Sequence, residues 1–244
     1  MLLRILYAER MKLMRSPVWL AFFVLPILPA FMGTFNYLQN TEILQESWYS
    51  LWTQHSLFSC YFFLPSILGV YCSYLFRLEH TNHNWNSLMT LPVPAIFIFL
   101  SKLVTASVMV IFTQVWIGIL FILSGKLAGL SGPFPAELPE WLVYGAIGGI
   151  VICGVQLCAS LVIRSFSVPV GIAMIGGIGG LAAFSKGYGA LFPYSLLSLG
   201  MRANNPAGPM GCTPAQFAAG SLSYLIICTV FAVIWLRQRD VTAD

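Results

Sequence analysis

Charged side chains are scarce in this 244-residue sequence. They make up 8% of it, while 58% of the residues are hydrophobic. Soluble domains carry about 25% charged residues, so the composition excludes a water-soluble fold and indicates an integral membrane protein. No long polar stretch remains for a separate soluble domain. The first segment also lacks the small-residue cleavage site of a signal peptide.

The sequence also lacks the motifs of an independent enzyme. Gly125-Lys126 has no glycine five residues before Gly125, so there is no P-loop for ATP. Three histidines and six cysteines show no metal-ligand spacing, and we expect the cysteines to be small core residues. Glu79, His80 and His83 could form a metal or catalytic cluster, but we expect them to stay solvated and predict no metal. We expect no nucleic-acid partner.

Apolar runs long enough to cross a membrane dominate the sequence. A membrane-spanning helix needs about 20 mainly apolar residues. The predicted spans are residues 17–37, 51–76, 95–123, 141–163, 168–184 and 218–236. Pro26 and Pro29 predict a kink in the first span, and Pro65 predicts a bend in the second. The fold class is therefore an all-α membrane protein whose residues 1–244 form a single transmembrane domain.

Three segments outside the spans have their own patterns. Residues 1–16 alternate apolar and basic side chains, which is typical of an amphipathic helix in the membrane interface. Residues 77–92 form a polar interruption between the second and third spans. Residues 185–217 are rich in proline, and their apolar part, 188–200, is divided by Pro193. That part is too short to cross, so we predict a re-entrant or interfacial pair of short helices.

The distribution of basic residues predicts the orientation. Six spans place both termini on one side of the membrane. That side receives nine of the twelve basic residues: Arg4, Arg10, Lys12, Arg15, Arg77, Lys102, Arg164, Arg237 and Arg239. The other side receives three: Lys126, Lys186 and Arg202. The positive-inside rule makes the first side cytoplasmic, so residues 77–92 face the cytoplasm and residues 185–217 face outward.

Polar residues within the predicted spans are few. Lys102 lies at the inner end of the third span, where we expect it to snorkel to the surface. We expect Gln114 and Gln156 to form hydrogen bonds between helices, and glycines such as those at 145–149 and 176–180 to allow close helix packing. No carboxylate lies in mid-span, which argues against an ion-coupled transporter. Energy for transport would therefore come from a partner.

The segment 77–92 reads RLEHTNHNWNSLMTLP. Trp85, Leu88 and Met89 share one face of a helix, and Leu91-Pro92 ends that helix. The segment predicts a short surface helix that contacts a partner. The alternative is a loop that aids insertion, with Trp85 as an interfacial anchor.

The order of these features resembles a known family. The chain begins with the N-terminal run that contains Glu9, Lys12 and Ser16-Pro17, and two spans follow. Next come the Glu79-His80…Trp85…Leu88…Leu91-Pro92 stretch and four further spans. This order is similar to that of permeases of type-2 ABC exporters. Within them the sequence most resembles lantibiotic-immunity and bacitracin-type permeases of Gram-positive bacteria. The resemblance covers the whole chain in length and span order.

The resemblance implies a permease subunit of the bacterial plasma membrane with no catalytic residues of its own. Two copies of a separate ATPase would bind ATP and Mg²⁺, and a second permease, a sibling chain, would complete the transporter. Residues 77–92 would form the cytoplasmic coupling helix. Glu79 and His80 would orient it, and Trp85, Leu88 and Leu91 would anchor it in an ATPase groove, with Pro92 at its end.

The implied cargo is a cationic antimicrobial peptide expelled from the membrane. The outward carboxylates could attract it or be merely solvated: Glu42, Glu46, Glu137 and Glu140. The resemblance assigns no substrate-binding residues. Alternatives are an ABC exporter permease for another drug, a lipid or a polysaccharide, a membrane-embedded enzyme, or a non-transport scaffold.

Overall fold

A computed structural model describes residues 2–14, 16, 18–45, 47–81, 85 and 93–238. Within these ranges every regular element is a helix. The α-helices are α1 (Leu2–Met14), α2 (Val18–Val24), α3 (Ile27–Gln39), α4 (Ser47–Phe58), α5 (Leu64–His80), α6 (Ala95–Leu127), α7 (Leu138–Val162), α8 (Ser167–Ser185), α9 (Ser195–Gly200) and α10 (Pro214–Gln238). A π-helical turn at Ser59–Phe63 joins α4 to α5, and a 3₁₀ turn at Gly189–Leu191 precedes α9.

Six helical stretches are long and apolar enough to cross a membrane. They cover Val18–Gln39, Ser47–His80, Ala95–Leu127, Leu138–Val162, Ser167–Ser185 and Pro214–Gln238. The predicted all-α fold with six spans is confirmed. Several of these helices extend beyond the predicted bounds because flanking polar residues continue the backbone hydrogen bonding past the apolar core.

The first two spans are interrupted near the prolines that predict a bend. The first span divides into α2 and α3 at Leu25 and Pro26, since proline lacks the N–H that would continue the hydrogen-bond ladder. In the second span the π-helical turn ends just before α5, whose second residue is Pro65. Both predicted irregularities are therefore present, and each span consists of two helical pieces.

Helix α7 lies at the centre of the bundle and packs against α5, α6, α9 and α10. Glycines permit the closest of these contacts. A Cβ on Gly148 would lie 2.6 Å from the amide nitrogen of Leu197 and 2.7 Å from the carbonyl oxygen of Leu196, so α9 rests directly on the α7 backbone. The expectation that glycines at 145–149 allow close packing is confirmed. Helices α8 and α10 are mainly exposed and lie at the flanks of the bundle.

The tract between the fifth and sixth spans contains the two short helical pieces that Pro193 predicts to be separate. Every residue of α9 is buried, against α7 and α8. The hydroxyl of Ser195 donates to the carbonyl of Gly180 at 3.2 Å, which fixes the start of α9 on α8. The depth of this pair in a membrane stays a prediction.

Candidate functional site

Four charged side chains from three helices meet at one end of the bundle. Glu9 and Lys12 come from α1, Glu79 comes from the last turn of α5, and Lys102 comes from the second turn of α6. We call these four residues the charge cluster. Two carboxylates face two ammonium groups, so the opposite charges balance within the cluster.

Lys102 is the centre of the charge cluster. Its ammonium donates to the Glu79 carboxylate at 2.9 Å, to the Glu9 carboxylate at 3.3 Å and to the carbonyl of Leu75 at 3.0 Å. An ammonium has three N–H donors, so these three acceptors satisfy it completely. The ammonium also lies 5.2 Å from the centre of the Phe76 ring. The side chain is only 1% exposed, so Lys102 depends on these partners rather than on water.

Lys12 is the partly exposed member of the charge cluster. Its ammonium donates to Glu79 at 2.6 Å and to Glu9 at 3.3 Å, and its side chain is 35% exposed. Burial disfavours the Lys12 ammonium, but the Glu9 and Glu79 carboxylates outweigh it and raise the pKa of Lys12 above its ordinary value. Each buried carboxylate therefore contacts both lysines, and the cluster links α1, α5 and α6 in a single hydrogen-bonded unit.

The local helices explain this arrangement. Glu9 and Lys12 are three residues apart on α1, and Leu75 and Glu79 are four residues apart on α5, so each pair lies on one helix face. The predicted snorkelling of Lys102 is wrong, because the carboxylates reach it inside the bundle. The importance of Glu9 and Lys12 to this site was not predicted. The sequence signal for this site was Lys102, a single lysine in an apolar run. Charged residues within membrane spans usually face the bundle interior and pair with opposite charges there.

His80 and Trp85 form a second junction next to the charge cluster. The indole N–H of Trp85 donates to Nδ1 of His80 at 2.9 Å. Because an indole can only donate, Nδ1 must accept, and the imidazole is neutral with its proton on Nε2. That nitrogen then donates to the carbonyl of Ser160, near the end of α7, at 3.1 Å. The junction thus joins the end of the second span to the end of the fourth.

The structure brings together three of the six residues predicted to couple to an ATPase. Glu79 lies in the charge cluster, and His80 and Trp85 lie in the adjoining junction. The Trp85 indole is 3% exposed within this chain and stacks on Phe76 with ring centroids 6.1 Å apart. Leu88, Leu91 and Pro92 lie outside the described residues, as do most other residues of 77–92.

His83, the third member of the alternative cluster with Glu79 and His80, also lies outside the described residues. Glu79 faces two lysines, while His80 faces Trp85 and Ser160. Within the described ranges no group of three His, Cys, Asp or Glu side chains could hold a metal ion. The contacts of Glu79 and His80 are those of a structural junction.

At the opposite end of the bundle, two of the predicted outward carboxylates have partners. The Tyr49 hydroxyl donates to Glu137 at 3.1 Å. The Arg202 guanidinium donates to Glu140 at 2.6 Å, and the Glu140 side chain is 46% exposed. Glu46 lies outside the described residues. Glu137 and Glu140 therefore each have a partner, and Glu140 is partly neutralised by its arginine.

Polar side chains within the spans form contacts between helices. The Gln156 amide and the Tyr194 hydroxyl lie 2.6 Å apart and form a hydrogen bond, as predicted for a packing residue. Gln114 donates a weak bond to the sulfur of Met201 at 3.6 Å. The sequence reasoning overlooked His55, which is buried in the second span with Nε2 2.9 Å from the Thr34 hydroxyl. That contact joins the first two spans.

Comparison with known proteins places this architecture in a class. The family model described as ABC-2 family transporter protein matches residues 5–180, which include the charge cluster, the first four spans and most of the fifth. The chain therefore belongs to the ABC-2 transporter family and is a permease of that type.

One particular relative is the bacitracin transport permease protein BCRB of Bacillus licheniformis. It is 26% identical to this chain over 133 residues, which cover 53% of this chain and 64% of the relative. The match thus spans less than two thirds of the relative's own length.

Proposed function

We propose that this chain is the permease subunit of an ATP-driven exporter that protects a bacterial cell from a membrane-active peptide antibiotic. Membership of the ABC-2 family supports the permease role. The observation that carries the coupling part of the proposal is the charge cluster, which ties three helices together beside residues 77–92. ATP and Mg²⁺ would bind to two copies of a separate ATPase, because this sequence has no P-loop.

The proposed coupling site is the segment 77–92 on the cytoplasmic side. Leu88 and Leu91 would anchor it in a groove of the ATPase, since burying their apolar surface away from water is favourable, and Pro92 would end the helix. Glu79 and His80 would hold the start of the segment on the bundle. Trp85 is packed inside this chain, so an ATPase groove would receive it only after it leaves Phe76 and His80.

Movement of the segment would pass directly into the bundle. The charge cluster would transmit it to α1 and α6, and the His80–Ser160 hydrogen bond would transmit it to α7. Buried hydrogen-bonded ion pairs hold a defined geometry because separating them leaves a charge unpaired. A displacement of α5 would therefore move its neighbours with it. We propose this as the route by which closure of the ATPase dimer rocks the spans.

We propose an antimicrobial peptide of the lantibiotic or bacitracin type as the cargo. The support is the name of the relative, which refers to bacitracin. Glu42 and Glu137 at the outer end would add a weak attraction for a cationic peptide, whereas Glu140 is paired with Arg202. A second permease, a sibling chain, would complete the pathway. The chain would lie in the plasma membrane with both termini in the cytoplasm, as the basic residues predict.

The test is protection of a sensitive Gram-positive cell that expresses the chain with its ATPase. We expect growth in the presence of a lantibiotic or bacitracin, and loss of growth when the ATPase cannot hydrolyse ATP. A stable complex without protection would contradict the peptide cargo and leave another drug, a lipid or a polysaccharide. Failure to bind any ATPase would contradict the permease role and favour a scaffold.

The coupling site has a separate test with a matched control. Leu88→Ala with Leu91→Ala should weaken the complex, measured by co-purification of the ATPase, about a hundredfold or more, since fully burying a leucine contributes about 1.5–3 kcal/mol and about 1.4 kcal/mol is tenfold in affinity. Leu127→Ala with Leu191→Ala truncates two exposed leucines on the predicted outer side and should leave the complex intact. Equal yields of ATPase with both double variants would contradict the proposed site.

A further inference from the structure

Helix α1 has a second face, turned away from the charge cluster, that none of the described contacts uses. At about 100° per residue, four large apolar residues fall in one stripe on that face, and their exposures range from 52% to 81%. The stripe consists of Leu3, Tyr7, Met11 and Met14. Glu9 and Leu13, the buried residues of α1, lie on the opposite face.

Arginines flank this apolar stripe on both sides. The helical spacing places Arg4 beside Met11 at one edge and Arg10 beside Leu3 at the other. Both arginines are exposed, and within the described ranges neither has an acidic partner. The only acidic residue of α1 is Glu9, which points into the charge cluster. The exposed face therefore carries an apolar centre with unneutralised positive charge along each side.

Contacts at the end of α1 fix its level relative to the spans. The carbonyl of Leu13 accepts hydrogen bonds from the Ser16 amide at 3.0 Å and from the Trp19 indole at 2.9 Å. Trp19 belongs to the first span, and Lys102, which contacts Glu9, belongs to the third. Helix α1 thus lies where these spans begin, which is the depth at which lipid headgroups meet acyl chains.

We infer that the stripe face of α1 binds anionic phospholipid of the cytoplasmic leaflet and that this lipid controls coupling through the charge cluster. Apolar side chains would enter the acyl region while Arg4 and Arg10 reach the phosphates. The opposite face of the same helix supplies Glu9 and Lys12 to Glu79 and Lys102. Lipid that fixes α1 therefore fixes the cluster. The control of coupling, but not the lipid binding, rests on the proposed function.

The lipid contact can be measured on the permease alone. A fluorophore on Met11→Cys, in a chain with Cys158 and Cys212 changed to serine, reports brominated lipids near the stripe in nanodiscs. We expect brominated phosphatidylglycerol to quench more strongly than brominated phosphatidylcholine at the same mole fraction. With R4Q and R10Q together the preference should fall by about 25-fold, since each arginine contributes about fivefold at an anionic surface. R237Q should retain the preference.

Two results would overturn the lipid contact. If both lipids quench equally in the protein that retains Arg4 and Arg10, the stripe has no preference for anionic lipid. Absence of quenching by either lipid would show that the stripe does not contact the bilayer.

Control of coupling is measured separately, as ATPase activity of the full complex in nanodiscs with increasing phosphatidylglycerol. We expect activity to rise severalfold with the unsubstituted chain and with R237Q, and to lose this dependence with R4Q and R10Q together. An unchanged dependence in the double variant would overturn the regulatory role. A complex that hydrolyses no ATP in any lipid would instead contradict the proposed function, and the quenching result would still decide the lipid contact.

Discussion

The two ends of the helix bundle are packed by different kinds of contact. At the end that carries the charge cluster, α1, α5 and α6 meet through ammonium and carboxylate groups. At the opposite end, Trp52 of α4 stacks on Trp141 of α7 with centroids 5.1 Å apart and packs edge-on against Phe121. Its indole N–H donates to the carbonyl of Met201 at 2.8 Å.

The difference has a mechanical meaning. Aromatic stacking and glycine contacts are short-range and fill space, so they favour a single packed arrangement at the aromatic end. A buried ion cluster links helices through a few directional bonds, and loss of one charge leaves the others without a partner. The end with the charge cluster should therefore transmit displacement and be sensitive to single charges, while the aromatic end should be sensitive to volume.

The largest expected effect comes from Lys102→Met. The change leaves Glu9 and Glu79 buried with only the partly exposed Lys12 to neutralise them, so we expect a loss of about 3–5 kcal/mol in stability. Thermal unfolding of the purified permease in detergent measures it. Lys126→Met is the matched control, because Lys126 lies on the same helix but is exposed at its other end. Equal stability of the two variants would contradict the role of the cluster.

Gly148→Ala tests the sensitivity to volume at the contact between α7 and α9. The added Cβ would meet the backbone of Leu196 and Leu197 at 2.6–2.7 Å, and backbone cannot move aside as a flexible side chain can. We expect α9 to shift and the permease to lose about 1–3 kcal/mol, the usual cost of overpacking. Gly171→Ala serves as the control, since a Cβ there has no neighbour within 4 Å. If both alanine variants unfold at the same temperature, the close contact is not structural.

A double-mutant cycle on Lys102 and Glu79 sharpens the contrast. Glu79→Gln removes one carboxylate, so the double variant Glu79→Gln/Lys102→Met has one carboxylate and one ammonium left in the cluster. We expect the double variant to be about 0.5–3 kcal/mol more stable than the sum of the single effects predicts. Detergent unfolding of all four proteins gives this coupling energy. Strict additivity would show that the two residues act independently.

The sequence predicts much of the fold, because long apolar runs and prolines act locally. The runs mark all six spans, and Pro26 and Pro65 mark the breaks in the first two. The family resemblance predicts that Glu79 and His80 orient the coupling helix, but it does not predict their contacts with Lys102 and Ser160. Lys102 and Glu9 are 93 residues apart in sequence, so no local sequence pattern predicts that they pair. His55 and the α7–α9 backbone contact depend in the same way on tertiary packing.

The smallest expected effect is that of Glu140→Gln, which tests the same ion-pair chemistry at the end opposite the charge cluster. Arg202 and Glu140 are 2.6 Å apart, a distance equal to that between Lys12 and Glu79. Glu140 is 46% exposed, and the Arg202 guanidinium also donates to the carbonyl of Gly208 at 3.0 Å, so Arg202 keeps a partner when the charge is removed. We expect a loss of about 0–1 kcal/mol, measured by unfolding beside Glu79→Gln, whose loss should be several times larger. Similar losses would mean that burial does not distinguish the two ends.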